Sequence, residues 1–322
     1  MSTGPGEEAM SAEDRTSNGP APDARGGIVG GLIKTIRPHQ WVKNLFVLAP
    51  IVFAKNVFHP DLLTRALAAV AVFCVLSGAV YTLNDIVDVD ADRVHPTKRN
   101  RPIASGRVPL PVARVFLVVL VVSALVAAGI FFRPAFLGAA TAYFLLNIAY
   151  SLRLKKIPFL DVACISAGFV LRVLGGGFAI DVRVSWYMVA CTALLALFLG
   201  FGKRRHEIAQ EHAGKQRKSL ESYSAGGLNA ALGITGALTL GVYVAYTLDP
   251  DTIAFFQSDQ LWMTTPSVLI GIWRFVQIVR GHPKSESPTQ EMLRDGLFVL
   301  NLAAWAIVVL VIVYRIRPTA GP

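Results

Sequence analysis

The sequence predicts an all-α polytopic membrane protein, a bundle of nine transmembrane helices around a central cavity that faces the cytoplasm. Three observations carry this reading. Of 322 residues, 53% are hydrophobic and only 16% charged, where a soluble domain carries about 25% charged residues; mean hydropathy is +0.51. Apolar runs of bilayer-crossing length, about 17–25 residues, recur along the chain. Lys and Arg gather in alternate connecting segments, the bias that sets membrane orientation. The net charge of +10 follows from that bias and from anionic substrates, so no nucleic-acid partner is expected.

Residues 1–26 are rich in Gly, Ser, Ala, Pro and Glu without apolar period, which predicts a disordered tail. No basic region leads into an apolar h-region there, so no signal peptide is expected. A single membrane domain is expected over 27–318. Its spans fall near 42–58, 62–83, 109–132, 134–151, 158–180, 185–202, 227–248, 261–280 and 296–314. The first is the least clean, because Lys55 shortens it. No internal repeat is visible.

With the N-terminus inside, the inner segments carry Lys34, Arg37 and Lys43, the cations of 93–107, Arg153, Lys155 and Lys156, Lys203 to Arg205, Lys215 to Lys218, then Arg280, Lys284 and Arg294. The outer segments carry only Lys55, Arg65, Arg133, Arg183, Arg315 and Arg317. The positive-inside rule favours this topology, in a plasma membrane with the charge-rich chemistry on the cytoplasmic face. The outer segment between spans seven and eight is acidic instead, with Asp249, Asp251 and Asp259.

The densest charge lies between spans two and three: N-D-I-V-D-V-D-A-D-R-V-H-P-T-K-R-N-R-P-I-A-S-G-R, Asn84 to Arg107. At about 100° per residue, Asp85, Asp88 and Asp92 share one helix face, with Asn84 beside them and Asp90 on the other side. Three like charges there repel by about 4 kcal/mol per close pair at an effective dielectric near 20. A divalent cation relieves that, and oxygen-only ligands suit Mg²⁺, which takes one or two carboxylates and completes its shell with water and phosphate. The cations downstream, Lys98, Arg99 and Arg101, would then hold the phosphates. The bland reading is a solvated acidic helix end followed by a basic loop.

Other motifs are weaker. R-P-H-Q-W-V-K-N, Arg37 to Asn44, places Trp41 as an interfacial anchor, while Lys43 and Arg37 either snorkel or bind phosphate. Y-S-L-R-L-K-K-I-P-F-L-D, Tyr150 to Asp161, puts Asp161 in the first turn of span five, where the helix dipole favours an acid; it is either structural or part of the same pocket. Arg172 lies eleven residues on, deep in the apolar run, where a cation costs about 2.5–3.5 kcal/mol on insertion scales. It meets either an ion-pair partner or substrate. Lys203 and Arg204 close span six, facing anionic lipid or substrate. The polar loop from His206 to Leu228 is long enough to cap a site. Neither the histidines nor Cys74, Cys164 and Cys191 show metal or disulfide spacing.

Assembled, N-D-x-x-D-x-x-x-D, the Tyr150–Asp161 segment and the nine-span layout resemble the UbiA-type intramembrane prenyltransferase superfamily, over nearly everything after residue 27. R-P-H-Q-W-V-K-N, H-P-T-K-R-N-R-P-I-A-S-G and L-G-F-G-K-R-R-H-E resemble, within it, the decaprenyl-phosphate phosphoribosyltransferase branch. The resemblance implies a Mg²⁺-dependent enzyme that moves phosphoribose from phosphoribosyl diphosphate (PRPP) to a polyprenyl phosphate, for arabinan precursors of arabinogalactan. It implies Asp85, Asp88 and Asp92 as metal ligands and Asn84 as a further catalytic group. Lys43, Lys98, Arg99, Arg101, Tyr150, Lys155, Asp161, Lys203 and Arg204 would bind substrate. Ile165 stands where the usual second motif has its second acid, which puts a second metal site in doubt. A homo-oligomer is compatible with this. The alternatives are a prenyltransferase with an aromatic acceptor, and a transporter, for which the expected repeats are missing.

Overall fold

A computed structural model describes residues 27–210, 222–281 and 288–314. The expected tail 1–26, the middle of the expected cap (211–221), His282, Lys284, Arg315 and Arg317 lie outside the described residues. Those described form helices and turns with no strand.

The chain opens with α1 (Ile28–Thr35), then a 3₁₀ segment (Pro38–Leu48) running into α2 (Ala49–Phe53). α3 (Pro60–Val87) is the longest helix, and α4 (Val89–Arg93) continues it after a break at Asp88. Then follow α5 (Leu110–Phe131), α6 (Pro134–Leu152), α7 (Leu160–Ala179), α8 (Trp186–Gln210), α9 (Ala225–Leu248), the short α10 (Pro250–Phe256), α11 (Thr265–Arg280), α12 (Pro288–Arg294) and α13 (Gly296–Val313). Proline sits in the first turn of α3, α5, α6 and α11, where its missing N–H costs nothing and its fixed φ starts the helix.

Seven helices among the described residues are long and apolar enough to cross a membrane: α3, α5, α6, α7, α8, α9 and α13. They match seven of the nine expected spans. The other two take a different form, so nine helices of spanning length are not found. The expected span 42–58 falls on the 3₁₀ segment and α2, ending near Lys55, which has left-handed φ. A 3₁₀ helix rises about 2 Å per residue, so 38–53 still covers roughly 30 Å. The expected span 261–280 falls on a 3₁₀ turn (Gln260–Thr264) and the 16-residue α11.

The core gathers Val47, Ile51, Phe73, Leu76, Phe136 and Tyr143 from the first segment, α3 and α6. The first segment presses so closely on α7 that a Cβ on Gly176 would run into the Val47 carbonyl oxygen; only glycine fits there. Outward, α5 exposes Val115, Val118, Val119 and Val122. Apolar faces of this extent suit lipid rather than water. The protein is an integral membrane protein.

Candidate active site at the charged end of the bundle

α3 and α4 bring the acids to one end of the bundle. Asp85 and Asp92 are buried, at 2% and 3% exposure. The helix breaks at Asp88, whose φ of −95° and ψ of 9° leave the helical range. Across that break Asp85 and Asp92 still converge on one cation, Arg101, while Asp88 meets another. Lys155, from the turn after α6, donates to both Asp88 carboxylate oxygens at 2.7 and 3.0 Å. Asp90 points outward and pairs with Arg93 at 3.1 Å on the surface, as its helical phase predicts.

The loop after α4 supplies the next cation. Ile103 and Val108 are buried with Val89 and Ala113, and Gly106 turns the chain back at a φ of 78°, a conformation glycine adopts without strain. So anchored, the loop directs Arg101 Nη1 to Asp85 Oδ1 at 3.2 Å and Asp92 Oδ2 at 2.6 Å. Arg37, just ahead of the 3₁₀ segment, donates to Asp85 Oδ1 at 2.5 Å and lies over the Tyr81 ring. Ser151 donates to the Asn84 side-chain oxygen. The repulsion expected among the acids is thus offset by Arg37, Arg101 and Lys155.

One guanidinium nitrogen shared by two buried carboxylates marks a place built for a cation. Oxygens of Asp85 and Asp92, with water and phosphate, match the donor set of Mg²⁺. Among the described residues no three His, Cys, Asp or Glu side chains converge as metal ligands, since Asp88 is held by Lys155.

Asp161 and Arg204 meet each other instead of the acids. Both are fully buried, with Arg204 Nε 2.8 Å from Asp161 Oδ2. Tyr223 OH donates to Asp161 Oδ1 at 2.7 Å, and so does Val162 N–H at 2.8 Å. Arg204 also pairs with Glu207 and reaches Tyr150 OH at 3.5 Å. Tyr150 adjoins Ser151, so the two clusters are neighbours along α6. Lys98 and Arg99 are exposed on the loop, Lys203 is half-exposed, and Lys43 is half-buried.

The model of the UbiA prenyltransferase family matches residues 44–302. The chain belongs to this family. Decaprenyl-phosphate phosphoribosyltransferase of Mycolicibacterium smegmatis is 33% identical over 309 residues, covering 92% of this chain and 95% of its own. The Mycobacterium tuberculosis protein of the same name is 32% identical over 300 residues, covering 91% and 96%. Among solved structures, a UbiA homolog from Archaeoglobus fulgidus bound to DMAPP and Mg²⁺ superposes with a TM-score of 0.65 at 17% identity, over 89% of this chain and all of that one. The fold is therefore the UbiA fold.

Within this UbiA bundle, some site residues escaped the sequence reading. The sequence allows Arg37 to snorkel or to bind phosphate; only the third dimension brings it to Asp85. Arg172 finds no carboxylate among the described residues. It donates to Asn44 Oδ1 at 2.8 Å, Tyr143 OH at 2.7 Å and the Gly168 carbonyl at 3.0 Å. Ser151 and Tyr223 carried no sequence signal at all. Away from the charges, a groove of about 590 Å³ between α6, α7 and α8 is lined by Ala142, Leu146, Ala167, Val170, Ala193 and Leu197, among others.

Proposed function

We propose that this UbiA family member transfers 5-phosphoribose from phosphoribosyl diphosphate to a polyprenyl phosphate, decaprenyl phosphate in the relatives' name, and releases diphosphate. The observation that carries this reading is likeness along almost the whole chain to decaprenyl-phosphate phosphoribosyltransferases. The site agrees with it: acids and cations interleave at one end of a membrane bundle, as a reaction between two phosphorylated partners requires.

In this reading Asp85 and Asp92 hold Mg²⁺, with Asp88 and Asn84 completing the acid mouth. When bound, the ion stabilises negative charge on the departing diphosphate. Arg37, Arg101 and Lys155 sit on those carboxylates and are placed to hold phosphate oxygens by charge-assisted hydrogen bonds. Lys98 and Arg99 face water, where the donor arrives. The bond from ribose C1 to the diphosphate oxygen breaks with oxocarbenium character at C1. An oxygen of the lipid phosphate forms the new bond to C1. That oxygen is already anionic at neutral pH, so no general base is needed. The histidines fit this: His95 Nδ1 accepts from the N–H groups of Thr97 and Lys98, and His206 lies against Glu291. Holding two polyanions in reacting geometry is the main task of the protein. Residues 27–318 act as one catalytic domain, with the site on the cytoplasmic face of the plasma membrane and the product feeding arabinan synthesis.

The test offers purified protein labelled phosphoribosyl diphosphate or labelled prenyl diphosphate, each with its acceptor. Label should pass into lipid phosphate from the first alone. Transfer from prenyl diphosphate to an aromatic acceptor would replace this reading with the prenyltransferase one.

A further inference from the structure

The cations of this end divide into two sets. In one, each has an acid: Arg37 with Asp85, Arg101 with Asp85 and Asp92, Lys155 with Asp88, Arg204 with Asp161. In the other, the acids are missing. Arg172 is 7% exposed, and its hydrogen-bond partners, Asn44, Tyr143 and the Gly168 carbonyl, are all neutral. A guanidinium has five N–H donors and stays charged, so donors remain to spare. Lys43, next to Asn44, has no hydrogen-bond or ion-pair partner among the described residues, and it is repelled by Lys203, Arg172 and Arg37.

This second set lies deeper. Ser77, which touches Asn44 Oδ1 and Tyr143 OH at 3.2 Å each, precedes Asp85 by eight residues of α3, about 12 Å along the axis. Lys43 follows Arg37 by six residues of 3₁₀ segment, again about 12 Å. Cations buried without acids lack a counter-charge. A ligand anion supplies one.

We propose that Lys43 and Arg172 form a site for the phosphate monoester of the lipid acceptor, separate from the acid mouth that takes the diphosphate. Naming the lipid rests on the phosphoribosyl-transfer reading; the site itself rests on unbalanced charge. Depth selects the lipid over the donor's 5-phosphate. A phosphate whose chain stays in the bilayer approaches from the membrane side, whereas the donor arrives from water. The arrangement also keeps the two polyanions on separate cations until they react.

The test compares full-length wild type with Lys43→Gln, and with Lys34→Gln as a charge control on exposed α1. Lys43 makes no hydrogen bond or ion pair that its loss would break, so the variant should fold. Steady-state kinetics with farnesyl phosphate as acceptor should show KM for that lipid raised about tenfold or more, the size of one charge-assisted hydrogen bond, and KM for phosphoribosyl diphosphate unchanged. Calorimetric titration of farnesyl phosphate without donor should show the same loss, with Lys34→Gln like wild type. Equal lipid binding in wild type and Lys43→Gln, or a rise confined to the donor KM, would overturn the proposal. Lys43-dependent lipid binding without phosphoribosyl transfer would instead sink the reaction and leave the site standing.

Discussion

At the scale of single residues, the two acid clusters differ in kind. Asp85 and Asp92 share Arg101 from a loop, and Asp85 also takes Arg37 from a segment end, groups that can exchange one anion for another. Asp161 and Arg204 are sealed from water and from exchange. Breaking such a buried pair strands a charge, at a cost of about 3–5 kcal/mol. Asp161→Asn should therefore lower the thermal midpoint of the purified protein markedly, and the Asp161→Asn/Arg204→Gln double variant should lose less than the sum of the single losses. Additive losses would show that the two side chains do not act as a pair. The sequence left Asp161 between a structural and a functional role, since a helix-start acid serves both; its partner lies 43 residues on and Tyr223 farther still, beyond any local pattern.

At the scale of elements, the apolar runs that could only be helices were legible, and seven appear near their expected places. Less legible were stretches where side chains from elsewhere decide the backbone. The first segment takes a 3₁₀ form because it lies in a slot between α3 and α7 whose floor is Gly176. Gly176→Ala should displace that segment and, with it, Asn44 and Lys43; the check is a lower thermal midpoint together with weaker lipid-phosphate binding. α11 is tied to α13 by Asp295, which caps α13 through Phe298 N–H at 2.8 Å and takes a fork from Arg274 at 3.0 and 2.7 Å. Arg274 holds the Asp295 carboxyl below the ordinary carboxylate range, with the Phe298 N–H adding to the effect. A group depressed in the folded state contributes stability above its unfolded pKa, about 3.9, and loses it as pH falls through the folded value. Asp295→Ala should cost about 1–2 kcal/mol as a lost cap at neutral pH. That cost should vanish in acid below the folded pKa; a loss independent of pH would contradict the clamp.

At the scale of the whole molecule, the UbiA fold collects acids and cations from α3, α4, α7, α8 and the segments that join the helices at one end, and leaves apolar faces elsewhere. Charge asymmetry predicts that this end faces the cytoplasm. Single cysteines introduced at Lys98 and at Arg133, in a background with Cys74, Cys164 and Cys191 replaced, should react with an impermeant thiol reagent from opposite sides of sealed vesicles. Labelling of both from one side would reject the topology. The acid stretch was legible in the sequence because its charges are dense and local. The unpaired cations around Arg172 were not, because what sets them apart is the lack of an acid in three dimensions. Asp85 and Asp92 are proposed to hold the Mg²⁺ that grips the diphosphate leaving the donor. The most direct measurement is diphosphate release from phosphoribosyl diphosphate by purified protein with a prenyl phosphate present, in wild type and in Asp85→Asn. Release by wild type should depend on magnesium and stop on chelation, and Asp85→Asn, still folded, should lose roughly 10²-fold or more, the scale for removing a principal charge-stabilising group. Release by Asp85→Asn at the wild-type rate would contradict that role.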